Sequence, residues 1–152
     1  ALGTTYTATV TTGAQDLVGN PLTNDVSWSF TTEKESVPPE VTSVDPPEGS
    51  INIAIDTEIT ANFSEELDPS TVSSSTFSVD DNGMLISGSV NYSGTTATFT
   101  PTEDLPLGST LTATITMGVK DLAGNSLAED KVWSFTTQPA SDSSKAGSGD
   151  IK

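Results

Sequence analysis

The residues best equipped for chemistry in this chain are its carboxylates: 21 Asp and Glu stand against five Lys, with no His and no Cys. They gather in two places. One is Asp121-Leu122-Ala123-Gly124-Asn125, where Asp and Asn oxygens together with backbone carbonyls are the ligand types a Ca²⁺ ion takes. The other is Glu65-Glu66-Leu67-Asp68, with Asp45 and Glu48 as further members. Asp121, Asn125, Glu65, Glu66 and Asp68 are therefore the candidate calcium ligands. Against that reading, the dense D-x-D-x-D-G spacing of a dedicated calcium loop is missing. An Asp followed by Gly-Asn also organises a turn by accepting backbone N–H bonds, and the spacing favours this role. The Glu65–Asp68 group reads first as solvated loop charge. Paired carboxylates also hydrolyse glycosides, but that chemistry needs a cleft, and these lie at turns. Without His there is no Ser-His-Asp relay and no imidazole metal site, and no Gly-rich phosphate loop is present. No catalytic residue is expected. Trp28 and Trp133 are sugar-stacking candidates, yet each is followed two residues on by Phe, so both rings of each pair face one side of a strand, as core residues do.

A formal net charge of −16 excludes a nucleic-acid surface, which needs a basic face, and opposes docking on anionic lipid. It favours solubility and repulsion between neighbours. No apolar run approaches membrane-spanning length, so no direct membrane insertion is expected. The absence of Cys rules out disulfides and thiolate metal sites.

These side chains are positioned by a repeat. Leu2–Thr32 and Leu107–Thr137 align without a gap at an offset of 105 residues, with 19 of 31 positions identical. A period near one hundred residues is domain-sized rather than solenoid-sized. Residues 1–32 read as the C-terminal part of one repeat, 33–38 as a short charged, Pro-containing linker, 39–137 as one whole repeat, and 138–152 as a flexible Gly/Ser-rich tail. The start at Ala1-Leu2-Gly3 falls inside a strand pattern, so the chain reads as cut from something longer, with any export signal outside it.

Within the whole repeat, short apolar/hydroxyl alternations are separated by turn signals. Val41 and Val44 come first, stopped by Asp45-Pro46-Pro47-Glu48-Gly49. Ile51, Ile53 and Ile55 alternate next, leading into Ile59, Ala61 and Phe63. Pro69 sits where a helical turn would begin, Phe77 and Val79 run into the tight turn Asp80-Asp81-Asn82-Gly83, and Ile86, Gly88, Val90 and Tyr92 follow. Ala97 and Phe99, then Leu111, Ala113, Ile115 and Met117, then Trp133 and Phe135 complete the set. One apolar and one hydroxyl-bearing face per strand predict two antiparallel sheets packed face to face. The fold class is all-β, an immunoglobulin-like antiparallel β-sandwich of about seven strands, preceded by a two-strand partial copy. Thr96-Thr98-Thr100 and Thr110-Thr112-Thr114-Thr116 supply hydroxyls that fit a flat array for ice or glycan, but more simply a solvent face of high β propensity.

Pro39-x-Val41-x-Ser43-x-x-Pro46, Phe63-Ser64-Glu65-Glu66-Leu67-Asp68-Pro69-Ser70-Thr71, Ala97-Thr98-Phe99-Thr100-Pro101, Asp121-Leu122-Ala123-Gly124-Asn125 and Trp133-Ser134-Phe135-Thr136-Thr137, in this order, resemble the bacterial Ig-like domains of S-layer and other cell-surface proteins. The resemblance implies a non-catalytic spacer or assembly module, extracellular or on the bacterial surface, serving stalk or surface-layer architecture and adhesion. Its partners would be neighbouring repeats of the same chain. The alternative is a glycan- or protein-binding accessory module, calcium-stabilised, in a larger adhesin or secreted hydrolase. The partial copy poses its own problem, because a lone hairpin is marginal in water. Residues 2–32 are expected to be poorly ordered, docked on a sheet edge, or exchanged with the strands of Leu107–Thr137.

Overall fold

Alternation with period two puts every second side chain on one face of a strand. In the computed structural model, which describes residues 1–141, that alternation sorts the apolar side chains as the sequence dictates. The described residues divide into two units, 1–37 and 38–141.

The first unit is a hairpin of β1 (Thr5–Val10) and β2 (Val26–Thr31), paired antiparallel with Tyr6 opposite Phe30, Ala8 opposite Trp28 and Val10 opposite Val26. Hydroxyls occupy the other face, where Thr5 meets Thr31 and Thr9 meets Ser27, each at 2.8 Å. The Tyr6 and Phe30 rings stack at 5.8 Å. The segment is thus a formed hairpin, with its apolar face open: Trp28 is 51% and Phe30 52% exposed.

Among the described residues the second unit has eight strands: β3 (Val41–Asp45), β4 (Ile59–Phe63), β5 (Phe77–Asp81), β6 (Met84–Leu85), β7 (Gly88–Ser93), β8 (Thr96–Pro101), β9 (Thr110–Ile115) and β10 (Lys131–Thr136). They form two antiparallel four-stranded sheets, in the orders β3-β4-β8-β7 and β10-β9-β5-β6. The inward residues Ile59, Ala61, Phe63, Phe77, Val79, Ala97, Phe99, Leu111, Ala113, Ile115, Trp133 and Phe135 make one core. Phe77 links the sheets, its ring 6.0 Å from Phe99 and 5.9 Å from Trp133. The Trp133 indole N–H is buried without a hydrogen-bond partner among the described residues. Gly88 opens β7 because nothing larger fits: a Cβ there would stand 2.5 Å from the Phe99 ring and 2.7 Å from the Thr100 carbonyl oxygen.

Met117 lies past the end of β9 and is exposed, and two further details depart from the strand pattern. Ile51, Ile53 and Ile55 do not build a regular strand; of this stretch only Ile53 makes a bridge, parallel, to Thr137. Instead the stretch from Gly49 to Ile53 lies along the outer edge of β10. Gly49 N–H donates to Ser134 O, Thr136 N–H to Ser50 O, Ile53 N–H to Thr136 O and Gln138 N–H to Ile53 O. The Glu48 carboxylate accepts the Ser134 N–H at 2.6 Å. A sheet edge that would otherwise recruit foreign strands is thereby closed. The other departure is Met84–Leu85, which pairs with β5 as a two-residue strand before the chain crosses to the opposite sheet at β7. Of the stretch expected to be flexible, residues 142–152 lie outside the described residues.

Candidate functional site

The connection from β9 to β10 turns back on itself around one carboxylate. Asp121 is 2% exposed; its Oδ1 accepts the N–H groups of Ala123 and Asn125, both at 2.8 Å, and its Oδ2 accepts Asn125 Nδ2 at 2.8 Å. Asp121 N–H donates to Asn125 O and Gly124 N–H to Asp121 O, with Gly124 at φ +91°. That backbone angle strains any side chain with a Cβ, so the loop needs glycine there. Asp130 ties the base of the loop by accepting Met117 N–H at 2.9 Å.

The partial copy repeats every one of these bonds. Asp16 Oδ1 accepts Val18 N–H at 3.0 Å and Asn20 N–H at 2.9 Å, its Oδ2 accepts Asn20 Nδ2 at 2.9 Å, and Gly19 has φ +90°. Asp25 accepts Thr12 N–H at 2.7 Å. The side-chain and backbone donors of Asn20, with those of Val18 and Gly19, hold the Asp16 carboxyl below its ordinary value. The loop therefore takes the same shape where it is open to water and where it is buried. Its geometry is written in its own five residues.

The second acidic group meets this loop, although more than fifty residues separate them in sequence. Leu67 bridges Asp121 antiparallel, Asp68 N–H donates to Lys120 O at 2.8 Å, and Lys120 N–H donates to the Thr71 hydroxyl at 3.1 Å. A carboxylate oxygen of half-buried Glu65 comes within 4.8 Å of one on Asp121. The remaining candidates point elsewhere. Asp68 caps the short 3-10 turn Pro69–Thr71: its Oδ1 accepts Ser70 N–H at 2.9 Å and Ser70 Oγ–H at 2.7 Å. Those two bonds, with the charge of Lys120, lower its pKa. Glu66 is exposed, on the rim of a shallow groove with Leu67, Tyr92 and Leu122. Asp45 lies on β3 opposite Thr60, and Glu48 is at the β10 edge.

Chemically, the converging Glu65 and Asp121 are the one pair from the sequence-derived set that is suited to share a cation. The pair is poorly placed for sugar hydrolysis, because Asp121 is buried under its own loop and cannot approach a glycosidic oxygen. Two structural anchors were not foreseen. The Tyr92 hydroxyl donates to Gly94 O and accepts Leu67 N–H at 2.7 Å, which fastens the loop after β4 to the turn after β7. Thr137, 1% exposed, accepts Ser109 N–H at 3.0 Å through its hydroxyl. Its counterpart Thr32 does the same for Thr4 N–H, so the shared Thr-Thr ending of the two repeats was an available signal for this clamp. Tyr92 offered none.

Two packed antiparallel sheets, a single inter-sheet core and this closing loop define an immunoglobulin-like β-sandwich. The match to the family model for the bacterial Ig-like domain covers residues 1–32 and 35–137, and the chain belongs to that family. Among solved structures, it is similar to the S-layer protein SbsC, at 28% identity and a TM-score of 0.51 over 69% of this chain and 14% of that one. The N-terminal part of the same bacterial S-layer protein gives 28% identity and a TM-score of 0.51 over 67% of this chain and 24% of that one. CopC from Methylosinus trichosporium OB3b, at 16% identity and a TM-score of 0.57, covers 68% of this chain and 97% of that one; this likeness concerns the fold alone. The chain spans less than a quarter of each S-layer chain. A search of curated proteins finds no match.

Proposed function

We propose that this chain is a non-catalytic structural module of a repetitive bacterial cell-surface or secreted protein, a bead in a tandem stalk or surface layer that holds adhesive or other domains away from the cell. One observation carries the reading: no aromatic ring of the complete domain is exposed. Phe63, Phe77, Phe99, Trp133 and Phe135 are buried and Tyr92 is half-buried, its hydroxyl tied to backbone. A glycan or protein reader presents aromatic anchors to solvent. The similarity to S-layer proteins supports an extracellular or surface location. Neighbouring repeats are the natural partners, and residues 1–32 are then the closing strands of one such neighbour. To test this, the 152-residue chain is titrated into purified bacterial cell-wall polysaccharide and binding is followed calorimetrically. The spacer reading expects no saturable heat; saturable binding would replace it with the accessory-module reading.

A second reading, a calcium-stabilised module, has the approach of Glu65 and Asp121 in its favour. Extracellular calcium modules bind with Kd near ~0.1–1 mM, so 2 mM Ca²⁺ would add about 1 kcal/mol and raise the melting midpoint by about 5 °C relative to EDTA. Glu65→Gln would abolish that shift. An identical midpoint in both buffers would leave these carboxylates as parts of the loop cluster.

A further inference from the structure

We infer that the strip from Glu48 to Ile53 and strand β10 form a mechanical clamp, so that the complete domain resists being pulled apart by its two ends. The inference rests on the stalk reading above and assigns this stretch a task that reading does not specify: keeping the bead folded under tension.

The geometry follows from direction. Ile53 and Thr137 form a parallel bridge. Gly49 and Ser134 therefore lie at one end of the ladder, Ile53 and Gln138 at the other. Tension in a tandem chain enters this ladder at Gly49, from the N-terminal side, and leaves it at Gln138, on the C-terminal side. The two strips are thus drawn in opposite directions along their own axes, and all their cross-links are loaded together. Pulled at one end instead, the same ladder would open bond by bond. The ladder holds four backbone bonds of 2.7, 2.8, 2.8 and 3.1 Å, closing at its N-terminal end with the 2.6 Å bond from Ser134 N–H to the Glu48 carboxylate. That last bond is charge-assisted, which makes it stronger than a neutral one.

The fold supports the clamp from both sides. Trp133 and Phe135 anchor β10 in the core, alternating with the residues that bond to the strip, and Ile53 packs against the same core. On the N-terminal side of the strip, β3 pairs with β4 in the other sheet. Even if β3 is drawn off first, the load passes next to the Gly49–Ile53 ladder before it can reach β4, β5, β8 or β9.

Because the chain has no Cys, introduced cysteines make unique handles for single-molecule pulling. The full chain held at its two termini is compared with the full chain held at Ala54→Cys and Ala140→Cys, both at the C-terminal end of the ladder. The clamp predicts that the rupture force in the second geometry is half or less of that in the first. Equal forces in the two geometries overturn it. Pulled from the termini, Glu48→Ala and Ile53→Pro, the latter lacking the N–H that meets Thr136 O, should each lower the rupture force; unchanged force in both would also refute the clamp. Failure here would leave the spacer reading intact, since the outcome of the polysaccharide titration does not depend on rupture force.

Discussion

Replacing Asp121 with Ala removes the acceptor for the Ala123 and Asn125 N–H groups and for the Asn125 side-chain amide. The site is nearly sealed from water, so solvent cannot replace these bonds without opening the loop. At about 1 kcal/mol for each of three bonds lost, the domain should be destabilised by about 3 kcal/mol. For a domain of this size that is a fall in melting temperature of about 12–20 °C. Asp121→Asn keeps one acceptor oxygen but turns an amide toward the Asn125 amide, and should cost about half as much. The partial copy supplies an internal control: Asp16→Ala breaks the same three kinds of bond in a loop open to water. Its effect on the main transition should be undetectable. Differential scanning calorimetry of the wild type and the three variants reads all of this directly. A melting temperature for Asp121→Ala within 3 °C of wild type, or equal shifts for Asp121→Ala and Asp16→Ala, would refute the assignment of Asp121 as the organiser of the closing loop.

The two tryptophans give a second matched pair. Trp133→Ala should cost about 3–5 kcal/mol and Trp133→Phe about 1–2 kcal/mol, since it sacrifices volume but also removes a buried N–H that has no partner among the described residues. Trp28→Ala should shift the main urea transition by less than about 0.5 kcal/mol. Gly88→Ala should destabilise by about 2–3 kcal/mol through overpacking against Phe99 and the Thr100 carbonyl, read as a lower urea midpoint with an unchanged slope. The Ser70 hydrogen bonds hold the Asp68 carboxyl below its ordinary value in the folded chain, so its contribution is present above the ordinary value and fades as pH falls through the lower folded one. Asp68→Asn should therefore flatten stability against pH below about 4, and an acid limb identical to wild type would refute the capping role.

How much of this was legible beforehand depended on whether the signal was local. Leu111-Thr112-Ala113-Thr114-Ile115 and Trp133-Ser134-Phe135 state their own faces, because the strand period is two and hydroxyls alternate with hydrophobes. The same rule misread Ile51, Ile53 and Ile55. Alternation says which side of a strip is buried, but not whether the strip joins a sheet or covers an edge. The Asp-Gly-Asn loop was readable for the same local reason, and its recurrence at Asp16 made it more so. The meeting of Glu65–Asp68 with Lys120–Asp121 was not, since it depends on where β4 and β9 end relative to each other across the sandwich. Glu48 at the β10 edge and Tyr92 at Leu67 are likewise contacts between distant segments, set by topology rather than by neighbouring residues. The formed state of β1–β2 was undecided from sequence; its hydroxyl pairs and self-contained Asp16 loop supply the local bonds that hold its shape.

The account's central claim, a spacer that adds length repeat by repeat, is tested most directly by small-angle X-ray scattering on chains holding one to four copies of residues 33–137 in series. With each copy as a rigid bead joined by the short linker at residues 33–38, the maximum dimension should rise linearly, by about 40 Å per copy. Growth that falls toward the square root of copy number, or collapse of the copies onto one another, would contradict the claim.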